Sequence, residues 1–318
     1  MKTVLVRLPL EERHRAKLEA AGAGCRFIYA APGEEIDRFL PQVEIIIGNV
    51  PPNKLPAAEK LELLQLNSSG AAEYTAPGVL APGVRLTNAT GAYGRSVAEH
   101  AFALTLMLQK NLHLYRDRQS AAEWQDQGRV KSIDGATVAV IGLGDIGLRY
   151  ARMAKALGAY VIGIKRRGGE CPEGVDELRR PEELTEVLEK ADMVFSILPG
   201  TRDTAYIYGP EQFKAMKNSA IFINCGRGNA VAGQVLYEAL TAGEIAAAAI
   251  DVTETEPLPK DSPLWGLENL LITPHVSGGY HLEETFETII DIAAANLKAF
   301  LTGGELKNIV DFETGYRK

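Results

Sequence analysis

The chain has few cysteines and no long apolar run. Its 318 residues include 3 Cys, spaced too widely for a CxxC metal site or a dense disulfide framework, so we expect no metal centre. No stretch reaches the roughly 18 uninterrupted apolar residues of a membrane-spanning helix. The first nine residues lack the apolar segment and cleavage site of a secretory signal, and we therefore expect a cytoplasmic protein.

The sequence also lacks a basic stripe with interleaved aromatic residues. Lys and Arg number 34 against 41 Asp and Glu, and the net charge of −7 is scattered along the chain. Such a surface repels phosphate backbones, so we expect neither nucleic acid nor membrane as a partner. With 46% hydrophobic residues, the chain can bury the cores of two ordinary domains without disulfides.

Two successive alternations of apolar runs and helical patterns divide the chain. The first predicts strands at Thr3–Leu8, Cys25–Tyr29, Val43–Ile47, Leu63–Leu66 and Val84–Thr87. The second predicts six strands, at Thr137–Ile141, Tyr160–Ile164, Met193–Ile197, Ala220–Asn224, Ile245–Val252 and Leu270–Thr273. Alternation of this kind is typical of α/β folds with parallel sheets covered by helices, and six parallel strands form a doubly wound sheet.

Helical periodicity predicts three long helices. One covers Leu10–Ala21 and ends at Gly22, another covers Ser96–Arg118, and the last covers His281–Leu301. Ser96 followed three residues later by Glu99 predicts a capping box at the start of the second helix. A short strand at Val310–Phe312 is expected to return to the first domain.

A glycine-rich turn follows the strand at Thr137–Ile141. Gly142, Gly144 and Gly147 form a G-x-G-x-x-G pattern that leads into a helical segment. The first glycine permits a tight turn, the second lets the backbone approach a pyrophosphate, and the third lets helix and strand pack closely. The following helix N-terminus favours anions. The pattern therefore predicts dinucleotide binding.

An acidic residue is absent where NAD-binding folds hold the adenosine ribose, at the end of the second strand. The segment Tyr160–Ile164 runs directly into Lys165, Arg166 and Arg167. Cationic side chains suit the 2′-phosphate of NADP, because guanidinium groups bind phosphate through two hydrogen bonds. The sequence favours NADPH over NADH as cofactor, with a solvated basic turn as the alternative.

Three predicted strands of the second half end in polar residues. The segments following them contain Arg227, Glu256 and His275. Reduction of a 2-oxo acid needs a cation that holds the carboxylate and polarises the carbonyl, and a proton donor for the developing alkoxide. A carboxylate beside the histidine would stabilise its imidazolium. Arg227, His275 and Glu256 supply one group of each kind.

These three segments and the glycine turn resemble the D-isomer-specific 2-hydroxyacid dehydrogenase family, which includes phosphoglycerate and glyoxylate/hydroxypyruvate dehydrogenases. The resemblance covers nearly the whole chain. Besides Arg227, Glu256 and His275 in that order and spacing, it includes the segments Ser69–Ala71, Val97–His100 and Leu198–Thr204.

The resemblance implies two doubly wound parallel-sheet domains, Rossmann-like or flavodoxin-like, with a cleft between them. Residues 1–95 and 281–318 would form a discontinuous substrate-binding domain, and residues 96–280 would form the dinucleotide-binding domain. A homodimer is implied through the helix at 96–118 and the arm that follows it.

The resemblance also implies roles for individual residues. Arg227 would bind and polarise the substrate, His275 would be the acid–base, and Glu256 its charge partner. The family's substrate-binding residues correspond to Ser69, Gly70, Ala71, Arg227 and His275, and Tyr93 is a further candidate for shaping the substrate pocket, with a packing role as the alternative. Its cofactor-binding residues correspond to Gly142, Gly144, Asp145, Ile146, Gly147, Leu198, Pro199, Thr204, Cys225, Gly226, Arg227, Asp251, His275 and Gly278. Lys165, Arg166 and Arg167 depart from the family, which usually has an acidic residue here, and are expected to bind the cofactor through its 2′-phosphate.

Two alternatives remain open. The same machinery could perform an NAD-linked oxidation of 3-phosphoglycerate, although the turn at Gly48–Pro52 lacks the arginine that such relatives use for the phosphate. The other is a non-catalytic nucleotide-sensing repressor, which would need no acid–base. The presence of Arg227, Glu256 and His275 together disfavours it. Our main hypothesis is an NAD(P)-dependent reductase that converts a small 2-oxo acid to the D-2-hydroxy acid, or catalyses the reverse reaction.

Overall fold

A computed structural model describes residues 1–166, 168–313 and 315–317. The helices are α1 Glu12–Ala21, α2 Gly94–Gln109, α3 Leu112–Ser120, α4 Asp145–Ala156, α5 Leu184–Lys190, α6 Pro210–Ala215, α7 Gly233–Thr241 and α8 Glu283–Thr302. The strands are β1 Thr3–Val6, β2 Arg26–Tyr29, β3 Ile45–Ile47, β4 Leu63–Gln65, β5 Arg85–Thr87, β6 Thr137–Ile141, β7 Tyr160–Ile164, β8 Glu177–Arg179, β9 Met193–Ser196, β10 Ile221–Asn224, β11 Ala247–Ile250, β12 Leu270–Ile272, β13 Val310–Asp311 and β14 Tyr316–Arg317. No helix among these residues is long and apolar enough to cross a membrane.

The chain divides into two compact units. Unit 1 comprises Met1–Tyr93 and Tyr280–Lys318, and unit 2 comprises Gly94–Gly279. Each contains a parallel sheet flanked by helices, which confirms the predicted fold class. Branched and aliphatic residues fill the strands of both sheets because a parallel sheet is buried on both faces.

The sheet of unit 1 has five parallel strands in the order β2-β1-β3-β4-β5. This is the flavodoxin-like order, in which β1 and β3 are the neighbours from which the chain winds in opposite directions. On one face, α8 packs its buried side chains against β1, β3 and β4, with Ile290 and Leu297 fully covered. The predicted return strand is only Val310–Asp311, which pairs with β14 in a short antiparallel hairpin.

The sheet of unit 2 has seven parallel strands in the order β12-β11-β10-β9-β6-β7-β8. The chain leaves β6 in one direction and returns at β9 on its other side. The carboxyl ends of β6 and β9 are therefore the place where an open α/β sheet binds its ligand. Tyr150 of α4 stacks on Phe195 of β9 with ring centroids 4.1 Å apart, and this contact fixes α4 against the sheet.

The prediction of six strands in this region was wrong by one. Strand β8 pairs in parallel with β7 at the sheet edge, and its three residues are only partly buried. A charged, three-residue edge strand has neither the apolar run nor the length by which buried strands are recognised in a sequence.

The prediction of one helix over Ser96–Arg118 was also wrong. Helix α2 ends at Gln109, and Asn111 adopts a left-handed conformation with φ of 55° before α3 begins. Asparagine tolerates this conformation, and the Asn111 side-chain amide donates to the carbonyls of Gln127 and Arg129. These bonds account for a break that the apolar spacing did not reveal.

The predicted capping box does not form. Helix α2 begins at Gly94, two residues before Ser96. The Ser96 hydroxyl donates to the Ser277 carbonyl at 2.6 Å, and Glu99 lies 4.0 Å from Arg95 in an ion pair along the helix. Ser96 therefore connects α2 to the turn after β12.

Candidate active site

The glycine turn joins β6 to α4. Gly142 has φ of 110°, and a Cβ there would lie 2.8 Å from the Ile197 carbonyl oxygen. A Cβ on Gly147 would lie 2.0 Å from the Gly142 oxygen, so only glycine permits this approach of helix to strand. At Gly144, by contrast, a Cβ would meet no described atom within 4 Å. The turn is closed on the protein side and open at its second glycine.

The first turn of α4 fits a dinucleotide pyrophosphate. Within the described part of the chain, the backbone N–H groups of Asp145 and Ile146 donate no hydrogen bond. Such N–H groups at a helix N-terminus attract phosphate. The Asp145 carboxylate accepts from Arg149 at 3.1 Å, which keeps this side chain engaged along the helix surface. The open space at Gly144 and these N–H groups are what the cofactor requires.

A cationic group lies beyond the end of β7. Lys165 and Arg166 are exposed there, and Arg167 lies outside the described residues. Because β8 pairs with β7, it brings Arg180 to the same edge, with a guanidinium nitrogen 3.4 Å from where a Gly168 Cβ would be. The sequence carries no signal for Arg180, because its place at this edge depends on β8, a strand that the apolar pattern does not reveal.

The loop after β9 lies against the loop after β10. The Thr204 hydroxyl donates to the Pro199 carbonyl and closes a short turn. A Cβ on Gly226 would lie 2.7 Å from the backbone nitrogen and oxygen of Leu198. The predicted cofactor residues Leu198, Pro199, Thr204 and Gly226 are therefore brought together.

The turn after β10 is organised by Asn224, a residue that sequence analysis did not single out. Its fully buried side chain accepts from the Gly226 N–H at 3.1 Å and donates to the Arg227 carbonyl at 3.0 Å. Arg227 in turn donates to the Gly226 carbonyl at 2.8 Å. Burial, and secondarily the charge of Asp251, raise the pKa of the Cys225 thiol, which is therefore a protonated, inert group. An Asn that ends an apolar strand before a glycine-rich turn is the signal that could have identified this residue.

Asp251 organises the turn that carries His275. Its carboxylate is buried and accepts four hydrogen bonds, from the hydroxyls of Thr273 and Ser277 and the backbone N–H groups of Val276 and Ser277. Four bonds use nearly all the acceptor capacity of a carboxylate. The structure thus shows Asp251 holding the turn, and its predicted contact with a cofactor stays a prediction. Gly278 lies in the same turn.

His275 and Glu256 form a hydrogen-bonded pair. The His275 Nδ1 lies 2.7 Å from the Glu256 Oε2, and the two side chains are 48% and 39% exposed. The Glu256 Oε1 accepts from the Thr253 N–H at 3.1 Å. His275 has φ of 53° and its N–H donates to the Asp251 carbonyl at 2.7 Å. A left-handed conformation is strained for histidine, so the surrounding bonds must hold it in place.

This pairing fixes the proton on the imidazole. An ionised carboxylate only accepts hydrogen bonds, so Nδ1 carries a proton directed at Glu256. Nε2 is then the nitrogen that can exchange a proton with another molecule. His100 lies on the other side of Asp251, with Nε2 3.0 Å from the Thr273 hydroxyl and 3.8 Å from the Asp251 carboxylate. These contacts give His100 a place in the hydrogen-bond network around Asp251.

In unit 1, the loop after β4 presents backbone donors. None of the N–H groups of Ser69, Gly70 and Ala71 donates a hydrogen bond to the described residues. The Ser69 carbonyl accepts from the buried Asn88 side chain at 2.8 Å, which holds the loop. Consecutive unused N–H groups form an anion-binding concavity. The Tyr93 hydroxyl, by contrast, donates to the Asn67 carbonyl.

A sequence model described as "D-isomer specific 2-hydroxyacid dehydrogenase, NAD binding domain" matches residues 102–277. The chain belongs to this family. It is 33% identical to glyoxylate/hydroxypyruvate reductase B of Klebsiella pneumoniae over 85% of each chain. It is also 33% identical to D-3-phosphoglycerate dehydrogenase of Methanocaldococcus jannaschii over 98% of its own length, but it spans 60% of that relative.

This 2-hydroxyacid dehydrogenase also resembles a solved structure over its whole length. The NADPH-dependent glyoxylate/hydroxypyruvate reductase of Sinorhizobium meliloti, in complex with NADP and sulfate, matches with a TM-score of 0.84 at 25% identity. The match covers 99% of this chain and 100% of that one. The predicted family, fold class and use of NAD(P) are confirmed. The dehydrogenase is an NAD(P)-dependent oxidoreductase acting on small 2-oxo or 2-hydroxy acids.

Proposed function

We propose that this dehydrogenase is an NADPH-preferring reductase of small 2-oxo acids in which Arg227, Glu256 and His275 carry the chemistry. The observation that supports the proposal best is the 2.7 Å hydrogen bond between His275 and Glu256. It gives the histidine one defined proton position and leaves Nε2 for the substrate. A histidine oriented by a carboxylate is the usual arrangement of an enzymatic acid–base.

Each residue has a distinct task in this proposal. Arg227 binds the substrate carboxylate and polarises the carbonyl with its fixed positive charge. His275, as imidazolium, donates the Nε2 proton to the carbonyl oxygen as it becomes an alkoxide. Glu256 stabilises the imidazolium through Nδ1. NADPH held by the glycine turn at Gly142–Gly147 would supply the hydride that reduces the carbonyl carbon.

Unit 1 supplies the remaining substrate contacts in the proposal. The N–H groups of Ser69, Gly70 and Ala71 bind the carboxylate, supported by their lack of acceptors among the described residues. Tyr93 shapes the substrate pocket by packing, because its hydroxyl is already bonded to the Asn67 carbonyl. Units 1 and 2 are thus the substrate-binding and dinucleotide-binding domains.

The preference for NADPH is supported by the cations at the ends of β7 and β8. Lys165, Arg166 and Arg180 offer three positive charges to a 2′-phosphate. The Sinorhizobium meliloti reductase, which resembles this chain over its whole length, is NADPH-dependent. Arg167, which lies outside the described residues, belongs to the same proposed phosphate site.

We further propose that the enzyme is a homodimer through α2, α3 and the following arm. The described residues of this region expose large apolar side chains to solvent: Leu112 by 51%, Val130 by 51% and Trp124 completely. Apolar side chains clustered in one segment are typical of protein interfaces. Light scattering coupled to gel filtration tests this proposal, since Leu112→Asp combined with Trp124→Ser is expected to convert a dimer to a monomer. A wild-type monomer would contradict it.

The proposed activity is tested by loss of NADPH or NADH absorbance with glyoxylate, hydroxypyruvate, pyruvate and phosphohydroxypyruvate. We expect turnover of at least one acid, with a higher kcat/KM for NADPH than for NADH. Arg166→Asp is expected to remove that preference, because it reverses one charge beside the 2′-phosphate. Turnover that favours NADH in the wild type would refute the cofactor proposal, and no turnover at all would refute the catalytic one.

A further inference from the structure

Arg7 lies at the topological switch point of unit 1. It directly follows β1, and Gly48 directly follows β3, which are the two strands at which the winding of this sheet reverses. Ligands of open α/β sheets bind at the carboxyl ends of the strands at that point. In the sequence, Arg7 falls inside the predicted first strand, Thr3–Leu8, and nothing there marks it as a binding residue.

The backbone fixes Arg7 in this position. Its N–H donates to the Ile47 carbonyl at 2.8 Å, so the β1–β3 pairing continues to Arg7. The neighbouring side chains of Val6 and Leu8 are buried. A Cβ on Gly48 would lie 2.6 Å from the Arg7 carbonyl oxygen, and Gly48 itself has φ of 111°. Glycine is required at this turn for the close approach to Arg7.

The Arg7 side chain is partly buried and has no acceptor among the residues that the structure describes. Its Nε is inaccessible to solvent, and its guanidinium makes no hydrogen bond or ion pair with any described residue. Desolvating part of a guanidinium without a compensating acceptor is unfavourable. A cation kept in this state at a ligand-binding edge is suited to an anion that arrives with the ligand.

Arg7 and the loop proposed to bind substrate leave the same edge of the sheet, because β1 and β4 both pair in parallel with β3. Burial and the Glu73 carboxylate raise the pKa of the buried Tyr74 hydroxyl, whereas the Arg7 charge lowers it. The Tyr74 N–H donates to the Ala71 carbonyl at 3.0 Å, directly after the unused N–H groups of Ser69–Ala71. Glu73 is exposed and forms no ion pair with Arg7.

We propose that Arg7 binds a second anionic group of the substrate, so that the enzyme prefers 2-oxo acids carrying an additional carboxylate or phosphate. This inference rests on the proposed function, in which the N–H groups of Ser69–Ala71 and Arg227 hold the carboxylate common to all 2-oxo acids. Arg7 supplies the cation that the turn at Gly48–Pro52 lacks. A guanidinium suits this task because it binds carboxylate and phosphate through paired hydrogen bonds.

Substrate selectivity tests the proposal. The kcat/KM values for oxaloacetate and phosphohydroxypyruvate are each divided by the value for glyoxylate, with NADPH saturating. In Arg7→Met these ratios are expected to fall about 10- to 100-fold, the range of a lost charge-assisted pair. Arg7→Lys keeps the charge but not the paired hydrogen bonds, and we expect its ratios to lie between those of wild type and Arg7→Met. Whether one ratio or both fall identifies carboxylate or phosphate as the group bound.

Arg38→Met is the matched control. Arg38 is an exposed arginine of unit 1 that stacks over Phe39 at 4.5 Å, and we expect its removal to leave the ratios unchanged. Circular dichroism melting establishes that each variant folds, with Arg7→Gln as the replacement if the methionine variant does not. Ratios that stay unchanged in Arg7→Met, including the case of equal losses for all three acids, would overturn the proposal.

Phosphate binding separates this proposal from the proposed function. Calorimetry measures the affinity of the NADPH-saturated full chain for inorganic phosphate, with the cofactor occupying the cationic group near Arg166. Weaker binding to Arg7→Met than to wild type supports an anion site even if the wild type reduces no 2-oxo acid, in which case only the proposed function fails. Equal binding to both proteins overturns the role of Arg7.

Discussion

Replacing Asp251 with asparagine removes one negative oxygen from the turn that carries His275 while keeping the side-chain volume. In the native turn, one carboxylate oxygen accepts from the Thr273 hydroxyl and the Val276 N–H, and the other from the hydroxyl and N–H of Ser277. Either hydroxyl can rotate to accept from the new amide. A backbone N–H cannot, so the N–H of either Val276 or Ser277 loses its acceptor, depending on how the amide is oriented.

The loss of stability in Asp251→Asn follows from the number of hydrogen bonds that are lost or weakened. A buried donor left without a partner costs about 1–3 kcal/mol, and the remaining bonds weaken because they no longer involve a charged acceptor. We expect the free energy of unfolding of unit 2 to fall by about 2–4 kcal/mol in Asp251→Asn. Ser277→Ala, which deletes a single hydroxyl donor, is expected to cost about 1 kcal/mol.

Tryptophan fluorescence during urea unfolding measures this difference. Both tryptophans of the chain, Trp124 and Trp265, belong to unit 2, so the signal reports that unit. The turn also holds His275 in its left-handed conformation, and we expect kcat of Asp251→Asn to fall at least about tenfold. An asparagine variant within about 0.5 kcal/mol of wild type would refute the assignment of Asp251 to the architecture of this turn.

Three further predictions concern the cofactor turn, the cationic group and unit 1. Gly144→Ala should leave the melting temperature unchanged but weaken NADPH binding at least tenfold, measured by fluorescence titration. Gly147→Ala should lower both the melting temperature and the affinity for NADPH, because its Cβ would lie 2.0 Å from the Gly142 backbone oxygen. Arg180→Ala should raise the KM for NADPH several-fold and leave that for NADH unchanged in steady-state assays. The pKa of Glu287 is lowered chiefly by its hydrogen bond with His14. The ionised Glu287 therefore stabilises the fold above the unfolded pKa of about 4.3, and this stabilisation is lost as the pH falls further. Glu287→Gln should accordingly destabilise the protein in urea titrations at pH 7 but not at about pH 3.

If Gly144→Ala lowered the melting temperature as well as the NADPH affinity, the open space at this residue would not be a cofactor surface. Equal changes in both KM values for Arg180→Ala would place that guanidinium away from the 2′-phosphate. Destabilisation by Glu287→Gln that does not vary with pH would assign the loss to packing.

Long buried elements and chemically distinctive residues could be predicted from the sequence. Strands β6 and β7 have the predicted bounds, because uninterrupted apolar runs between turns define buried parallel strands. The pairing of His275 with Glu256 was expected because an acid–base histidine needs a charge partner, and the structure brings the two side chains within hydrogen-bonding distance. Their catalytic roles stay predictions.

Features that depend on pairing across the fold could not be predicted in this way. Strand β8 exists because β7 provides an edge, and with it Arg180 joins the cationic group. The break at Asn111 depends on carbonyls of a segment sixteen and more residues away. In the sequence, Arg7 is one polar residue within an apolar run, and its position at the ligand-binding edge depends on the order of the strands in the sheet.

The central claim is that His275 donates the proton to the substrate oxygen, and one variant tests it most directly. His275→Gln retains a hydrogen-bonding side chain of similar reach but cannot act as an acid–base. With the best 2-oxo acid of the substrate panel, stopped-flow NADPH oxidation should show kcat reduced about 10²–10⁴-fold, while the dissociation constant for NADPH changes less than about threefold. A kcat within about threefold of wild type would contradict the account, because another group would then have to supply the proton.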